Sequence, residues 1–208
     1  MQIAAEKLTS VTGDKIQGVI GQFQDVESIM AYKDLMNRLN CDNLDVRSNQ
    51  AELNCDFRSQ YLMNSRIVGI DETDLLLFIG SNPKTENPVL NARIRKAVNV
   101  NGLDVAIIGP ANNLTYNYSH LGNSLKTLQE IADGTHPFCE RLAQAELPMI
   151  VVGNETLSRT DGQAVQNLIN EIASKTNVIN EAEGWNGVNI LHTDASRVGA
   201  LDLGIVPR

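Results

Sequence analysis

The clearest pattern of hydrophobic and polar positions runs from Leu75 to Ile108. Leu75–Ile79 is an unbroken apolar run, which is typical of a strand buried on both faces of a parallel sheet. Pro88 begins a segment in which apolar residues recur at the spacing of one helix face, and Val105–Ile108 is a second apolar run. The pattern therefore predicts a strand, a helix and a parallel strand joined by a right-handed crossover.

The rest of the chain repeats this alternation. Further strands are predicted at Ile16–Ile20, Leu44–Val46, Pro148–Val152 and Val188–Leu191. Further helices are predicted at Asp25–Leu39, Ser124–Ala132, Pro137–Ala145, from Thr160 onward and near Ala195–Leu201. Residues 40–56 are predicted to be polar and irregular. The alternation indicates an α/β fold, specifically a three-layer α/β/α sandwich around a mostly parallel sheet. We expect residues 1–208 to form one such domain, or a portion of a larger one.

A short loop of turn-forming residues, Gly80-Ser81-Asn82-Pro83, ends the Leu75–Ile79 strand. Pro83 fixes its own φ angle and disfavours helix at Asn82. The crossover places this loop at the carboxyl edge of the sheet, where open α/β sheets bind ligands. Gly80–Pro83 is therefore the loop at which a bound group is first expected.

Composition narrows the class of protein. The formal net charge of −8 argues against a general nucleic-acid-binding protein, because contacts to phosphates need clusters of basic residues. Aromatic residues make up only 4% of the chain, which leaves few surfaces for stacking bases. No stretch approaches the ~18 apolar residues of a membrane-spanning helix. We therefore expect neither a nucleic-acid partner nor a membrane span.

The cysteines do not form a recognisable ligand set. Cys41, Cys55 and Cys139 are widely spaced, and the chain contains no C-x-x-C motif. This pattern predicts neither a disulfide framework nor an iron–sulfur site, and it favours a reducing compartment. The start of the chain resembles neither a signal peptide nor a transit peptide.

Familiar catalytic and nucleotide-binding motifs do not occur. The chain contains no P-loop, no G-x-G-x-x-G after a strand and no G-x-S-x-G elbow. His120, His136 and His192 are isolated from one another and from the cysteines, so no zinc-ligand spacing is present. We interpret His136 as a helix-capping or surface residue. His120 lies beside two tyrosines, yet a packed polar loop is favoured over a catalytic role.

Two charged groups flank the central βαβ unit. Asp71, Glu72 and Asp74 precede the first strand, at the amino edge of the sheet, and we interpret them as a solvated loop rather than an acid–base pair. Arg93, with the two basic residues Arg95 and Lys96 that follow it, makes the central helix basic. This basic surface is either a solvated face or a salt-bridging surface toward a neighbouring domain, and the sequence leaves both open.

Several segments, taken together, resemble one family. They are Tyr61–Asn64, Gly80–Pro83, Asn91–Lys96, Leu114–Gly122, Asn189–His192 and Ala195–Gly204. In order and spacing they resemble the largest peripheral-arm subunit of respiratory complex I, the 75-kDa iron–sulfur subunit in its mitochondrial form. The resemblance covers nearly the whole chain.

The resemblance implies a particular domain of that subunit. This domain is related to molybdopterin oxidoreductases such as formate dehydrogenase, in which a G-x-N-P loop contacts the pterin dinucleotide. That loop corresponds to Gly80, Ser81, Asn82 and Pro83, which become candidate residues of a vestigial pterin loop. The complex I subunit is understood to have kept the fold and lost the pterin. The cysteines match none of the family's cluster motifs, so the resemblance implies no cofactor here. Iron–sulfur clusters are expected in the family's N-terminal region or in a partner chain.

The function implied by the resemblance is structural. We expect a module of the peripheral, NADH-oxidising arm of complex I, with no catalytic residue, no metal site and no redox centre of its own. Its partners would be other peripheral-arm subunits, including the iron–sulfur portion of the 75-kDa subunit. Its location would be the matrix side of the mitochondrial inner membrane or the cytoplasmic face of a bacterial inner membrane. The alternative is a cofactor-binding domain of an active molybdopterin-dependent oxidoreductase. A free-standing dinucleotide-binding protein is disfavoured by the absent glycine fingerprint.

Overall fold

The computed structural model describes residues 2–46 and 54–206, so the centre of the irregular stretch predicted at 40–56 lies outside the described residues. The helices are α1 (Gln2–Thr9), α2 (Val26–Arg38), α3 (Pro83–Glu86), α4 (Pro88–Asn101), α5 (Leu125–Ala132), α6 (Phe138–Gln144), α7 (Asn154–Leu157), α8 (Gly162–Lys175) and α9 (Arg197–Asp202). The strands are β1 (Gly18–Val19), β2 (Leu44–Asp45), β3 (Leu75–Ile79), β4 (Asp104–Ile108), β5 (Ser119–Gly122), β6 (Met149–Gly153), β7 (Ile179–Asn180), β8 (Trp185–Asn186) and β9 (Val188–Leu191). Short 3₁₀ turns occupy Gly13–Lys15, Arg58–Gln60, Val68–Asp71 and Glu181–Glu183.

The chain divides into two compact units, one formed by Met1–Gln50 with Asp194–Arg208 and the other by Ala51–Thr193. The larger unit contains a sheet in the order β5-β4-β3-β6-β9. Every neighbouring pair in this sheet is parallel. This sheet confirms the predicted α/β class. The expectation of a single domain over residues 1–208 stays a prediction.

Both faces of the central strand β3 are covered, and all five of its residues are buried. Leu75, Leu77 and Ile79 pack into a hydrophobic cluster with residues of α5, α6 and α8. Leu76 and Phe78 face the opposite cluster, which contains the apolar residues of α4. The alternation of side chains along the strand thus builds three layers, as the pattern predicted.

The β9 edge of the sheet is closed by the segment that precedes the sheet in the chain. Met63 forms an isolated antiparallel bridge with Asn189, and the Ile190 N–H donates to the Leu62 carbonyl over 3.0 Å. Asn189 is fully buried, and its Oδ1 accepts from the N–H and the hydroxyl of Ser65, each over 3.0 Å. Two segments of the family resemblance, Tyr61–Asn64 and Asn189–His192, therefore interact directly with each other.

The smaller unit is built on β1, α2 and β2, with β1 and β2 forming a parallel pair. The predicted strand at Ile16–Ile20 is shorter than expected, because only Gly18 and Val19 pair. A Cβ atom added at Gly18 would lie 2.7 Å from Leu44 Cδ2, so this glycine serves close packing. Arg197 and Asp194 form a buried ion pair in the same unit, with Nη2 and Oδ2 2.6 Å apart.

Candidate functional site

Glycines lie where the loops after β3 and β6 meet at the carboxyl edge of the sheet. Gly80 has φ +60°, and a Cβ atom added there would lie 1.6 Å from Thr156 Oγ1. A Cβ atom at Gly153 would lie 2.4 Å from the Gly80 carbonyl oxygen. The strand-end loops therefore pack directly on one another, and neighbouring protein atoms occupy the space beside each glycine.

The Gly80–Pro83 loop uses its polar groups internally. The Ser81 hydroxyl donates to Glu86 Oε2 over 2.9 Å, and the Asn82 N–H donates to Glu86 Oε1 over 2.8 Å. Asn82 also caps α3, because its Oδ1 accepts from the Lys84 N–H over 3.2 Å. Glu86 thereby occupies two donors of the loop and places a carboxylate beside them.

The loop between β4 and β5 also contacts the Gly80–Pro83 loop and the start of α3. Asn112 Nδ2 donates to the Ser81 carbonyl over 3.3 Å, and Lys84 Nζ donates to the Asn113 carbonyl over 2.8 Å. The Tyr118 hydroxyl accepts from the Asn112 N–H and donates to the Asn112 carbonyl. The side chains of Asn112 and Lys84 thus tie the loops after β3 and β4 together, and Tyr118 holds Asn112 in place.

A small cleft of about 130 Å³ lies beside these loops. Its wall includes Gly80, Ser124 at the start of α5, Thr156 and Arg159. Arg159 binds Asp161 through two hydrogen bonds of 2.7 and 2.8 Å. Hydrogen bonding to Arg159 lowers the pKa of Asp161, and the same contact raises the pKa of Arg159. The cation at the cleft is therefore already matched by a carboxylate.

The cleft beside the Gly80–Pro83 loop is small for a pterin dinucleotide. Sites for small molecules and cofactors usually enclose about 300–1,000 Å³, more than this cleft provides. The donors of Ser81 and Asn82 already bind Glu86, and an anionic ligand there would meet the carboxylate. Sequence reasoning missed Glu86. The signal was present as an Asx residue at a helix start followed within one turn by a glutamate, which is close to a capping-box pattern.

The structure brings two histidines, His120 and His192, toward this edge of the sheet. His120 Nε2 lies 2.7 Å from the Gly109 carbonyl oxygen and 2.8 Å from Asn123 Oδ1. These contacts support a structural role, although the residue lies on β5 rather than in the predicted loop. His136 Nδ1 accepts from the Phe138 N–H over 3.1 Å, which confirms its capping role. His192 follows the carboxyl end of β9, and its Nε2 lies 2.6 Å from the Tyr61 carbonyl oxygen.

The charged groups around the central βαβ unit have structural partners. Arg93 Nη2 lies 2.8 Å from Asp71 Oδ2, and this ion pair joins α4 to the turn before β3 within the larger unit. Whether the basic surface meets a neighbouring domain stays a prediction. Asp74 accepts from the backbone N–H groups of Glu146 and Leu147 over 2.7 and 3.0 Å. These contacts assign structural roles to both aspartates.

Two further segments of the resemblance meet in a buried hydrogen bond. The Tyr116 hydroxyl donates to Asn91 Oδ1 over 2.8 Å, and both residues are buried. Burial raises the pKa of Tyr116 well above its ordinary value, because the charged phenolate would lose its solvation. Within residues 2–46 and 54–206, no cluster of His, Cys, Asp and Glu has the arrangement of a metal site.

Comparison with known proteins gives consistent matches. A family model described as molybdopterin oxidoreductase matches residues 1–208. The chain is 42% identical to the NADH-ubiquinone oxidoreductase 75 kDa subunit of Reclinomonas americana, with 92% of this chain and 29% of that protein covered. It is 40% identical to the mitochondrial NADH dehydrogenase iron-sulfur protein 1 of Solanum tuberosum, with 100% of this chain and 28% of that protein covered. It is 38% identical to a NADH-quinone oxidoreductase subunit of Rickettsia bellii, with 98% of this chain and 30% of that protein covered. The chain thus spans less than a third of the length of these relatives, and the matches confirm the resemblance drawn from its segments.

Proposed function

Because the chain belongs to the molybdopterin oxidoreductase family, we propose that it is a structural module of the peripheral, NADH-oxidising arm of respiratory complex I. In this role it carries no redox centre of its own. The observation that carries the proposal is the closed Gly80–Pro83 loop, whose donors bind Glu86 rather than facing an open pocket. The names of the relatives supply the assembly to which the module belongs.

A structural role agrees with how the site residues are used. Electron transfer needs a bound redox centre, which proteins hold through ligands such as cysteine thiolates. Cys41 is buried and its Sγ lies 3.0 Å from the Ile16 carbonyl oxygen, while Cys139 Sγ lies 3.5 Å from that of Ile131. The residues that mark the resemblance hold strands and loops to one another. The chain would thus offer a stable surface to the subunits that carry electrons.

The partners and the location follow from the same proposal. The partners are the other peripheral-arm subunits, among them the iron–sulfur portion of the 75-kDa subunit. The module would lie on the matrix side of the mitochondrial inner membrane, or on the cytoplasmic face in a bacterium, since the relatives come from both settings. In the part of the chain that the structure describes, each helix is too short or too polar to cross a bilayer.

The proposal is tested by purifying a tagged form of the chain from its source cells and identifying the proteins that accompany it. We expect NADH:ubiquinone oxidoreductase subunits in fixed proportion. The chain produced alone should contain no stoichiometric iron, molybdenum or extractable pterin. Stoichiometric iron held by its own cysteines would overturn the absence of a redox centre, and an assembly lacking complex I subunits would overturn the structural role.

The alternative is a cofactor-binding domain of an active molybdopterin-dependent oxidoreductase, which the family match favours. The Glu86 contacts and the small cleft weigh against it. Reconstitution of the chain with extracted molybdopterin dinucleotide separates the two functions. Saturable binding that protects the Gly80, Ser81 and Asn82 amides from hydrogen exchange would establish the alternative.

A further inference from the structure

One side of α4 carries charge that the fold does not use. Leu90, Ile94 and Ala97 are buried against the large sheet, whereas Arg95 and Lys96 are exposed. In the part of the chain that the structure describes, neither of these two cations forms an ion pair. The helix contains no acidic residue, although the whole chain has a formal net charge of −8. A cationic surface on an acidic chain is suited to an anionic partner.

The exposed side of α4 also has the spacing of a helix–helix contact. Val89, Arg93, Lys96 and Val100 follow one another at intervals of four, three and four residues. At 3.6 residues per turn, these side chains form one stripe along the helix, about 16 Å long. Val89, Lys96 and Val100 are exposed, and Arg93 is half-buried. The helix therefore has a second, outward stripe with apolar ends and a cationic centre, spaced as residues are when two helices pack together.

An apolar groove borders the first end of this outward stripe. It encloses about 490 Å³, and Ile67 and Val89 contribute to its walls. Both residues are exposed, so the groove has room for an apolar side chain from outside the chain. Glu86 also lines the groove, but its carboxylate already accepts hydrogen bonds from Ser81 and Asn82. The net charge left for a partner on this surface is positive.

We propose that the outward stripe of α4 binds an acidic amphipathic α-helix of another complex I subunit. A carboxylate of that helix would pair with Lys96, since Arg93 is already matched by Asp71. Apolar side chains on either side of the carboxylate would enter the groove beside Val89 and cover Val100. The apolar ends would supply most of the affinity and the charge would select the partner, because exposed ion pairs contribute little.

A helix matches this surface better than an anionic lipid headgroup does. Segments that bind anionic lipid surfaces carry clusters of about 4–8 cations, whereas α4 has only Arg95 and Lys96 without an ion-pair partner among the described residues. The apolar positions at both ends of the stripe also repeat at helical spacing, as a partner helix requires. The inference rests on the proposed function and specifies one surface of the module and the chemistry of its partner.

The test compares the chain alone with the assembly purified from source cells. Reductive methylation measures the accessibility of Lys96 Nζ, and a carbodiimide applied to a second sample joins Lys96 to a carboxylate in direct contact with it. We expect methylation at least tenfold slower in the assembly than in the chain alone. We also expect an amide cross-link from Lys96 to an aspartate or glutamate in a helix of another complex I subunit.

The other outcomes would overturn the inference. Equal methylation rates, or no cross-link from Lys96 to another subunit, would remove the proposed helix and leave the proposed function standing if the chain still co-purifies with complex I subunits. Failure to co-purify would remove both. Slow methylation in the chain alone would mean that this chain or a second copy covers the stripe. Protection that is lost when lipids are extracted would assign the surface to a membrane instead.

Three variants make the test specific to this surface. Lys96→Glu reverses the charge at the centre of the stripe, Lys96→Arg keeps it, and Lys126→Glu makes the same reversal at an exposed residue of α5. We expect Lys96→Glu to reduce incorporation into the assembly about tenfold, because repulsion replaces attraction. Lys96→Arg and Lys126→Glu should incorporate normally. Equal incorporation of Lys96→Glu and Lys126→Glu would contradict the acidic partner.

Discussion

At the scale of single residues, Glu86 and Tyr116 show how polar side chains fix this fold. The carboxylate of Glu86 accepts from two groups of the Gly80–Pro83 loop, although the residue is exposed. The hydroxyl of Tyr116 donates to Asn91 in the core. The first contact orders the Gly80–Pro83 loop with little desolvation, because the carboxylate of Glu86 stays exposed to solvent. The second carries a larger penalty if broken, because it would leave a buried amide oxygen without its donor.

Replacing Glu86 with alanine should loosen the Gly80–Pro83 loop. Two hydrogen bonds to an exposed carboxylate are lost, and we expect the free energy of unfolding to fall by about 1 kcal/mol. Urea denaturation measures the change. Glu140→Ala, at an exposed glutamate of α6, is the matched control and should change stability by less than about 0.5 kcal/mol. Equal effects of the two substitutions would show that the Glu86 contacts do not hold the loop.

Replacing Tyr116 with phenylalanine should lower the free energy of unfolding by about 1–3 kcal/mol, because Asn91 loses a buried partner. Tyr32→Phe, at a half-buried tyrosine of α2, is the control and should have a smaller effect. Equilibrium denaturation near neutral pH measures both variants. A neutral outcome for Tyr116→Phe would mean that the hydroxyl does not contribute to stability.

The raised pKa of Tyr116 also predicts a pH dependence. Above the ordinary tyrosine value of 10.0, the unfolded chain loses this proton while the folded protein retains it. Stability is therefore complete below pH 10 and falls as the pH rises beyond it. Tyr116→Phe should show a shallower fall above pH 10 than the wild type. Parallel stability curves for the two proteins would contradict the shift.

At the scale of elements, loops pack on loops at the carboxyl edge of the large sheet. The turn after β3 needs a glycine both for its φ angle and for the space beside Thr156. Gly102, which ends α4, also has a positive φ, yet a Cβ atom there would meet no neighbour within 4 Å. Comparing alanine substitutions at Gly80 and Gly102 therefore separates the cost of backbone strain from the cost of a steric clash.

Gly80→Ala should therefore destabilise the protein by about 2–4 kcal/mol, from strain and a clash with Thr156. Gly102→Ala should cost only about 1 kcal/mol, because it adds strain alone. Combining Gly80→Ala with Thr156→Ala should recover part of the loss, as measured by thermal unfolding. Equal costs at the two glycines, with no rescue, would show that the β3 loop has room to move.

The elements that sequence alone predicted are those with strong local patterns. β3 was predicted at its observed bounds because five consecutive apolar residues are buried on both faces, and α4 begins at Pro88 as expected. β5 was missed because Ser119–Gly122 is polar and incompletely buried, so its pairing with β4 supplies the strand. The Gly80–Pro83 loop was located correctly at the end of β3. Its closure was not foreseen, because Glu86 and Asn112 act from other segments.

At the scale of the whole molecule, each unit has its own core and leaves apolar residues exposed. The most exposed include Phe23 at 79%, Val89 at 85% and Val100 at 72%. Scattered exposed apolar residues are common on soluble proteins, but α2 and the turn before it carry several on one short segment. This distribution is expected of a module that meets partners.

We therefore expect the chain produced alone to self-associate at micromolar concentration. Light scattering during concentration measures this directly. A Phe23→Ser variant should remain dispersed at higher concentration than the wild type, while Val100→Ser, at a similarly exposed residue on α4, controls for general solubility. A wild-type chain that stays monomeric throughout would contradict the expectation that its partners cover apolar surface.

The contact between Ser65 and Asn189 also has a consequence during protein synthesis. The two residues lie 124 positions apart, and the Tyr61–Asn64 segment finds its partners in β9. At about 5–20 residues per second, the ribosome needs roughly 6–25 s to add the intervening chain. The early segment must wait through that interval before it can dock, so the nascent chain leaves it accessible to chaperones until β9 has been synthesised.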